Sequence, residues 1–356
     1  MTQIARALFL LVCFCCLTSL ASSQTPLPPA ISGLPKNPAD ILSSARSQNG
    51  LEAPGLPAWH LKATYQTFDE NGQQRNSGVF EEWWAGPKEY RRSYASKDFT
   101  QTEYVTDTGT YRLGDQNFPP LAELLLAARI LSPLPEASDV DKDVVLLRRP
   151  QDFGKISLEC VVMARKMPNL ITAPSALFPT YCFDPKLPML RWSGSYGQRI
   201  SLYNAIVSFN GRYIAKDLMV AERDNHRILS AHVDTLESLP NVVETDFIPP
   251  SGAIHLETPV KINVEENVTQ GRIEKKVAPE YPAYAKEKHI EGEVLIHAEI
   301  GEDGHIHEMT ILKAPDPTLA IAAMQAVQQW QYKPYLLKGK PVRVITDIRV
   351  VYSLRG

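Results

Sequence analysis

The most regular pattern of the chain is an alternation of apolar and polar residues over its last stretch. One set of alternate positions is almost wholly apolar (Val342, Val344, Thr346, Ile348, Val350, Tyr352 and Leu354), and the intervening set is mostly polar (Arg343, Ile345, Asp347, Arg349, Val351, Ser353 and Arg355). Successive side chains of a β-strand point to opposite faces, so the pattern predicts one long strand with a single face on a core. A long strand at a sheet edge is a template for a strand of another chain.

Two shorter alternating segments, EVLIHAEI and HIHEMTIL, flank the turn-rich sequence GEDG and predict a β-hairpin. The simplest register sets Ile300 opposite His305, and hence Ile296 opposite Met309. It also sets Val294 opposite Ile311. This register gives one apolar face, formed by Val294, Ile296, Ala298, Ile300, Met309 and Ile311. A slip by one residue would mix the two faces.

Helices are predicted on both sides of this hairpin. A short one covers Ala283 to His289. In the longer one, Asp316 can cap and Pro317 suits the first turn. An apolar stripe of Leu319, Ala323, Val327 and Trp330 follows, and Lys333-Pro334 ends the helix. Residues 273–356 are therefore expected to form a small domain of helix, hairpin, helix and strand, with a three-stranded antiparallel sheet.

The preceding part of the chain is rich in short strand patterns separated by turn residues. WHLKATYQTF, GVFEEWWAG, EYRRSYA and TEYVTD come first, a helical stretch PPLAELLLAARIL follows, and further strand patterns lead to RILSAHVDTLE. Residues 50–247 are expected to form an antiparallel β-rich domain with one or two helices, so the fold class is α+β. Residues 24–49 are a Pro-rich lead with a short helix. Residues 248–272 are a linker with one short strand pattern, PVKINV.

The N-terminal residues 1–23 have the character of a signal peptide. Arg6 precedes a 15-residue apolar stretch, Ala7 to Ala21, and small residues follow it. Spanning a bilayer takes about 20 apolar residues. Export to the periplasm is therefore expected, and an uncleaved inner-membrane anchor is the alternative. Cys13, Cys15 and Cys16 would leave with the signal, so Cys160 and Cys182 are expected to form one disulfide.

Composition and motifs narrow the function classes. The net charge of -3 provides no basic surface, so nucleic acid is not expected as a partner. The sequence contains no GxSxG, HExxH, phosphate-binding loop or dinucleotide fingerprint. Glu81 and Glu82 are adjacent in a strand and point to opposite faces, so they are expected to be solvated or edge residues instead of an acid/base pair. The protein is therefore not expected to be an enzyme, and no cofactor is expected.

Four histidines and several acids between Tyr281 and Met309 raise the question of a metal site. The predicted register pairs His297 with Glu308 and sets His307 opposite Ala298 on the other face. His305 and His307 remain together near the turn, where Asp303 and Gly304 are turn residues, and His289 lies beyond the far end of the hairpin. No metal site is expected, because the pattern leaves only that pair of histidines for one ion.

The C-terminal region resembles the TonB C-terminal domain over about 80 residues. The resemblance rests on P-x-YP, I-x-G-x-V, I-x-x-DG-x-I, a helix ending in W-x-Y-x-P, and G-x-PV. The motif residues are Pro279, Tyr281, Pro282, Gly292, Asp303, Gly304, Trp330, Pro334 and Gly339. It implies a domain that binds outer-membrane TonB-dependent transporters or other envelope proteins, often by adding the partner's strand to its sheet. The partner-binding residues would be Val342, Arg343, Val344, Ile345, Thr346, Asp347, Ile348, Arg349, Val350, Val351 and Tyr352.

Two departures from a TonB energy transducer leave motor coupling open. Residues 7–21 contain no histidine, and a folded domain replaces the long Pro-rich spacer. Residues 50–247 resemble the periplasmic lipoprotein-carrier (LolA/LolB-like) fold through EEWWAGPKEYRRSYA, which implies an acyl chain in an apolar concave face. The alternative is that Trp59, Phe80, Trp83, Trp84 and Tyr90 fill a core. The expected function is thus that of a periplasmic TonB-family binding protein that contributes to TonB-dependent transport. A lipid or lipoprotein carrier is the alternative function, and a homodimer is the alternative partner.

Overall fold

The structure is a computed structural model that describes residues 33–53, 55–69, 71–170, 173–174, 177–195, 199–222, 226–242, 244–256 and 261–354. The predicted signal peptide, residues 1–23, and the beginning of the Pro-rich lead lie outside the described residues. None of the described helices is long and apolar enough to cross a membrane.

A large antiparallel sheet forms the N-terminal part of the described chain. Its strands are β1 Trp59–Phe68, β2 Gln74–Gly86, β3 Glu89–Ser96, β4 Thr100–Thr106, β5 Gly109–Gly114, β6 Val144–Phe153, β7 Ile156–Arg165, β8 Thr180–Phe183, β9 Leu190–Gly194, β10 Ile200–Phe209, β11 Arg212–Ala221, β12 Arg227–Ser238 and β13 Ile254–Leu256. Neighbours follow the order β13-β5-β4-β3-β2-β1-β12-β11-β10-β9-β8-β7-β6. Neighbouring strands are consecutive in the chain except at two places: β1 pairs with β12, which joins two meanders, and β13 pairs with β5.

Helices α1 (Pro38–Gln48) and α2 (Leu121–Leu131) pack on one face of this sheet. Asn37 caps α1 by accepting from the Ala39 amide, and Pro38 begins the helix. Trp59, Phe80 and Trp84 are buried beneath the helices, as expected of core residues. Trp83 lies on the opposite face, where its ring stacks on His60 with centroids 4.3 Å apart. Cys160 and Cys182 are directly opposite each other on β7 and β8 and are disulfide-bonded, which confirms the predicted pair.

The C-terminal part contains a second, smaller sheet. Its elements are β14 Lys261–Asn263, α3 Glu266–Gln270, β15 Ile273–Lys275, α4 Ala283–Glu287, β16 Gly292–Ile300, β17 Ile306–Lys313, α5 Pro317–Val327, β18 Gln331–Tyr332, β19 Tyr335–Leu337 and β20 Lys340–Tyr352. The strand order is β14-β20-β16-β17, with β19 also paired to β20, while β15 and β18 form a separate pair. The described residues therefore give this sheet five strands instead of the three predicted. The α+β class with mostly antiparallel sheet is confirmed.

The hairpin register differs from the prediction. Ile300 lies opposite Ile306, Ala298 opposite Met309, and Ile296 opposite Ile311. Bulges interrupt the pairing near both ends of β16. The shift relative to the predicted register is an even number of residues through the middle of the hairpin, so each side chain stays on its predicted face. The apolar face is accordingly as predicted, because all six of its residues are buried.

Helix α5 is apolar on nearly all sides, and most of its residues are buried. Asp316 caps it through the Thr318 amide. The helix packs on β16 and β17 of the small sheet, and its buried residues belong to the same hydrophobic cluster as Val162, Leu177 and Phe178. Strand β17 also contacts β7 of the large sheet directly. Residues of both sheets therefore belong to one continuous core.

Candidate partner-binding edge

Strand β20 lies between two unequal neighbours. On its inner side it pairs with β16 over nearly its whole length, from Val344 opposite Ile300 to Tyr352 opposite Gly292. Val344, Ile348, Val350 and Tyr352 are buried in the core beneath α5. The β20 residues that lie between these four direct their backbone amide and carbonyl groups away from β16. We call this side of the strand the outer edge of β20.

The first half of the outer edge is occupied by the chain itself. Lys340 to Val342 pair with β19 across a tight turn in which Lys338 and Gly339 both have positive φ angles. Beyond that, β14 runs parallel to β20 and sets Lys261, Ile262 and Asn263 beside Arg343, Val344 and Ile345. The Val264 amide then donates to the Ile345 carbonyl at 2.9 Å. The sequence signal for this pairing with β20 was the PVKINV strand pattern. The pattern was assigned to the linker, and no partner strand was predicted for it.

The second half of the outer edge has no strand beside it in the described part of the chain. Past Ile345, the nearest element is α3, whose Glu266 accepts from the Arg349 amide at 3.2 Å. The Arg349 side chain lies 3.4 Å from Glu266 and 3.0 Å from Glu293. Val351 is 65% exposed. The open part of the edge is therefore short, begins near Arg349 and ends at Tyr352.

The remaining predicted partner-binding residues divide between the two faces of the sheet. Thr346 is buried beside Thr269 of α3. Arg343 bonds Glu302 at 2.9 Å and Glu299 at 3.3 Å on the polar face. Asp347 on the same face contacts His297 at 2.8 Å. Their side chains are engaged within the chain, which leaves the outer backbone edge and the exposed parts of Arg349 and Val351 accessible to a partner.

The motif residues support this strand from below and from its end. The Tyr281 hydroxyl donates to the Ile290 carbonyl at 2.9 Å, and its ring meets Tyr352 edge-on. The Trp330 indole donates to the Val277 carbonyl at 2.8 Å. Pro282 precedes α4, and the Pro334 carbonyl accepts from Arg272. These contacts give the motif a structural role, in which it holds the hairpin, α5 and β20 together.

The histidines of the hairpin are each paired with a carboxylate. His297 contacts Asp347, whereas His305 and His307 both approach Asp303 at the turn, at 3.7 Å and 3.0 Å. Burial alone would raise the pKa of Asp303, but contacts with His307 and the His305 amide outweigh it and lower the pKa to about 2. Within the described ranges, no group of three or more such side chains could hold a metal ion.

A buried charge network in the N-terminal sheet escaped the sequence reasoning. Glu82 was expected to be solvated, but it is fully buried on the helix-covered face. Arg92 on the neighbouring strand bonds it at 2.6 Å and also bonds Glu52 at 2.5 Å. Next along the same row, Arg112 of β5 bonds Glu103 of β4 at 3.1 Å. Because Glu81 is next to Glu82 in the strand, the sequence predicted that Glu81 lies on the opposite face of the sheet. There it contacts His60.

One small cavity lies on the helix-covered face of the N-terminal sheet. The cavity is lined by Ile130, Tyr203, Ile214 and Leu218 and holds about 10 Å³, which is close to the room needed by one water molecule. A wider cleft of about 490 Å³ lies elsewhere, open to solvent, between the Phe247 turn and the Thr106–Tyr111 hairpin.

Comparison with known proteins gives a match for the C-terminal region. Residues 277–354 match the family described as the Gram-negative bacterial TonB protein C-terminal. Protein TonB of Vibrio cholerae serotype O1 is 30% identical over 81 residues, which are 22% of this chain and 33% of that protein. The match therefore spans about a third of the length of this curated relative.

Solved structures resemble the N-terminal part at low similarity. A LolA superfamily protein from Nitrosomonas europaea has a TM-score of 0.37 and 9% identity, covering 59% of this chain and 97% of that one. An outer membrane lipoprotein-sorting protein domain from Vibrio parahaemolyticus has a TM-score of 0.31, 9% identity and the same coverages. MucB has a TM-score of 0.30 and 11% identity, covering 61% of this chain and 64% of that one. These remote likenesses carry no argument about function. Residues 277–354 are thus similar in sequence to the TonB C-terminal domain.

Proposed function

We propose that this protein acts in the bacterial cell envelope and that its C-terminal domain binds an extended segment of an outer-membrane transporter or related envelope protein. The partner's segment adds as a strand to the outer edge of β20. The observation that carries the proposal is this edge itself, which has no strand neighbour in the described chain beyond Ile345, next to the exposed Val351. Backbone hydrogen bonds give such a complex its affinity, and side chains at alternate positions give it specificity.

The proposed complex is transient. The open edge is only a few residues long, and interfaces of that size fall at the small end of specific protein interfaces. A partner strand that extended from Val351 back to Arg343 would gain more backbone pairs, but it would meet β14.

Site-specific cross-linking in cells tests the proposal. A photoreactive amino acid replaces Val351 in the full chain, and the matched control places it at Ile156, which is 52% exposed and lies in the other sheet. At position 351 we expect adducts with an extended segment of an outer-membrane transporter or of a related envelope protein. At position 156 we expect no adduct with that segment. Identical adducts at both positions, or no adduct at position 351, would contradict the proposal. An adduct with a second copy of the chain would show that the partner at this edge is another copy of the protein in a homodimer, instead of a transporter.

The lipid-carrier alternative remains a prediction without an observation in its favour. An acyl chain needs an apolar channel, whereas α1, α2 and the Glu82–Arg92 pair occupy the corresponding face of the N-terminal sheet. Lipid extracted from the purified full chain in stoichiometric amount would revive this alternative.

A further inference from the structure

The segment from Lys261 to Gln270, which we call the edge segment, occupies the part of β20 that a longer partner strand would use. It consists of β14 and α3. We propose that the edge segment is an autoinhibitory element: it covers the outer edge of β20 and is displaced by an extended partner segment of similar chemistry. This inference rests on the proposed function, because it concerns access to the same edge.

The first argument is the geometry of the contact. β14 runs parallel to β20 and continues its sheet, so it makes the backbone contacts that an added strand would make. Ile262 and Val264, two residues apart, both pack against the core of the small sheet. The segment therefore supplies what strand addition requires, which is backbone pairing together with alternate side chains in apolar contact.

The second argument is charge. After the two apolar positions, Glu266 places its carboxylate against both the amide and the guanidinium of Arg349. Arg349 is half exposed and is shared with Glu293, so a carboxylate from another chain can reach it. The edge segment thus defines the chemistry of its competitor: an extended peptide, parallel to β20, with apolar residues at alternate positions and an acidic residue two positions later.

The third argument is the small size of the closed contact. β14 contributes three residues and α3 five, so few hydrogen bonds hold the segment in place. Elements with few contacts open at low free-energy cost. The segment competes because it is tethered, and tethering raises its effective concentration at the edge to roughly the millimolar range. A partner held nearby by other contacts can overcome that competition.

Two proline variants test the proposal in the full chain. Val264→Pro removes the amide that donates to Ile345 and weakens the closed state. Asn263→Pro is the matched control, because alternation along the strand directs its amide away from β20. With the photoreactive residue at position 351, we expect Val264→Pro to raise the yield of the captured partner by about tenfold. This value corresponds to a parent protein in which molecules with a covered edge outnumber those with an open edge by about ten to one. Asn263→Pro should leave the yield within about twofold of the parent by the same reasoning.

A covalent lock provides the opposite change. Asn263 and Ile345 are register neighbours, and the Asn263→Cys/Ile345→Cys variant joins β14 to β20 when oxidised. We expect the oxidised lock to abolish capture and its reduction to restore it. Equal capture of the partner by the oxidised lock and by the Val264→Pro variant would overturn the autoinhibition and leave the proposed function intact. A lack of capture by the Val264→Pro variant, the parent and the reduced lock would overturn the autoinhibition and the proposed function together.

Discussion

Gly304 has the tightest steric environment in the β16–β17 turn. Its φ angle is +78°, and a Cβ there would lie 1.9 Å from the Tyr332 carbonyl oxygen. The Gly304 carbonyl also accepts from the Tyr332 amide at 2.8 Å, which ties the turn to β18. This glycine is required by the close approach of a second backbone as well as by the turn itself.

Gly304→Ala is therefore expected to lower the free energy of unfolding by about 3 kcal/mol, because strain and overpacking act together. Gly339→Ala is the matched control. It has a similar φ of +81° but open space around the added Cβ, and about 1 kcal/mol is expected from the left-handed conformation alone. Urea unfolding of the full chain measures both. Equal losses would show that the Tyr332 contact is unimportant.

The neighbouring Asp303 should titrate far below an ordinary carboxylic acid. Its pKa is lowered to about 2 by the His307 ring and the His305 amide, which outweigh the opposing effect of burial. Since the folded pKa lies below the unfolded value of about 3.9, its contribution to stability is present above that value and is lost as the pH falls toward 2. Carboxyl NMR titration should give a midpoint near 2. A midpoint near the ordinary value would contradict these contacts, and Asp303→Asn should remove this part of the acid dependence.

At the level of the strands of the large sheet, stability depends on charged side-chain pairs that the local sequence does not reveal. Alternation indicated that Glu81 and Glu82 point to opposite faces, but not which face was covered. Glu82 is buried against Arg92 of a neighbouring strand, and Arg92 also binds Glu52 from the segment after α1. Burial raises the pKa of Glu82 to about 7, although the bidentate contact with Arg92 opposes this shift.

Arg92→Met should destabilise the protein by about 3–5 kcal/mol, because it leaves Glu82 buried without its cation. The double variant Glu82→Leu/Arg92→Met should lose much less, since no charge is then left buried. Equilibrium unfolding of both single variants and the double variant gives the coupling. A double variant as unstable as the sum of the single variants would mean that the two side chains act independently.

The hairpin shows why a sequence pattern determines faces better than register. The alternation of β16, β17 and β20 is local, so the buried positions were predictable. A shift by two residues changes the partners and preserves the faces, and the two bulges of the hairpin have no signal in the alternation. The edge segment was missed for a related reason: three residues of strand are too few to show a period, and their partner lies about 80 residues further along the chain.

Taken as a whole, the molecule buries residues of its two sheets in one hydrophobic cluster that also contains α5, which the sequence represented as a helix with one apolar stripe. The helix buries Leu319, Ala320, Ala323, Met324 and Val327 among others. Phe178 and its neighbours belong to the same cluster, so part of this core comes from a distant part of the chain. The boundary between the two regions was placed by composition, which does not report packing between them.

Phe178→Ala should therefore destabilise both sheets together, by about 3–5 kcal/mol. Phe178 is 1% exposed and lies in the cluster that contains α5 and Trp330. Fluorine NMR of labelled tryptophan follows Trp330 and Trp59 separately during unfolding. Coincident midpoints, shifted equally by the variant, are expected, whereas Ile156→Ala at the exposed hairpin should shift neither by much. An unchanged Trp330 midpoint would contradict a shared core.

Amide hydrogen exchange tests most directly whether a partner strand adds to the outer edge of β20. The envelope segment captured at position 351 is synthesised as a peptide and added to the full chain carrying Val264→Pro. We predict that the Val351 amide gains protection on binding, because alternation points it toward the outer edge, while amides directed to β16 change little. Protection appearing instead along β17 or β6, with the Val351 amide unchanged, would contradict the claim.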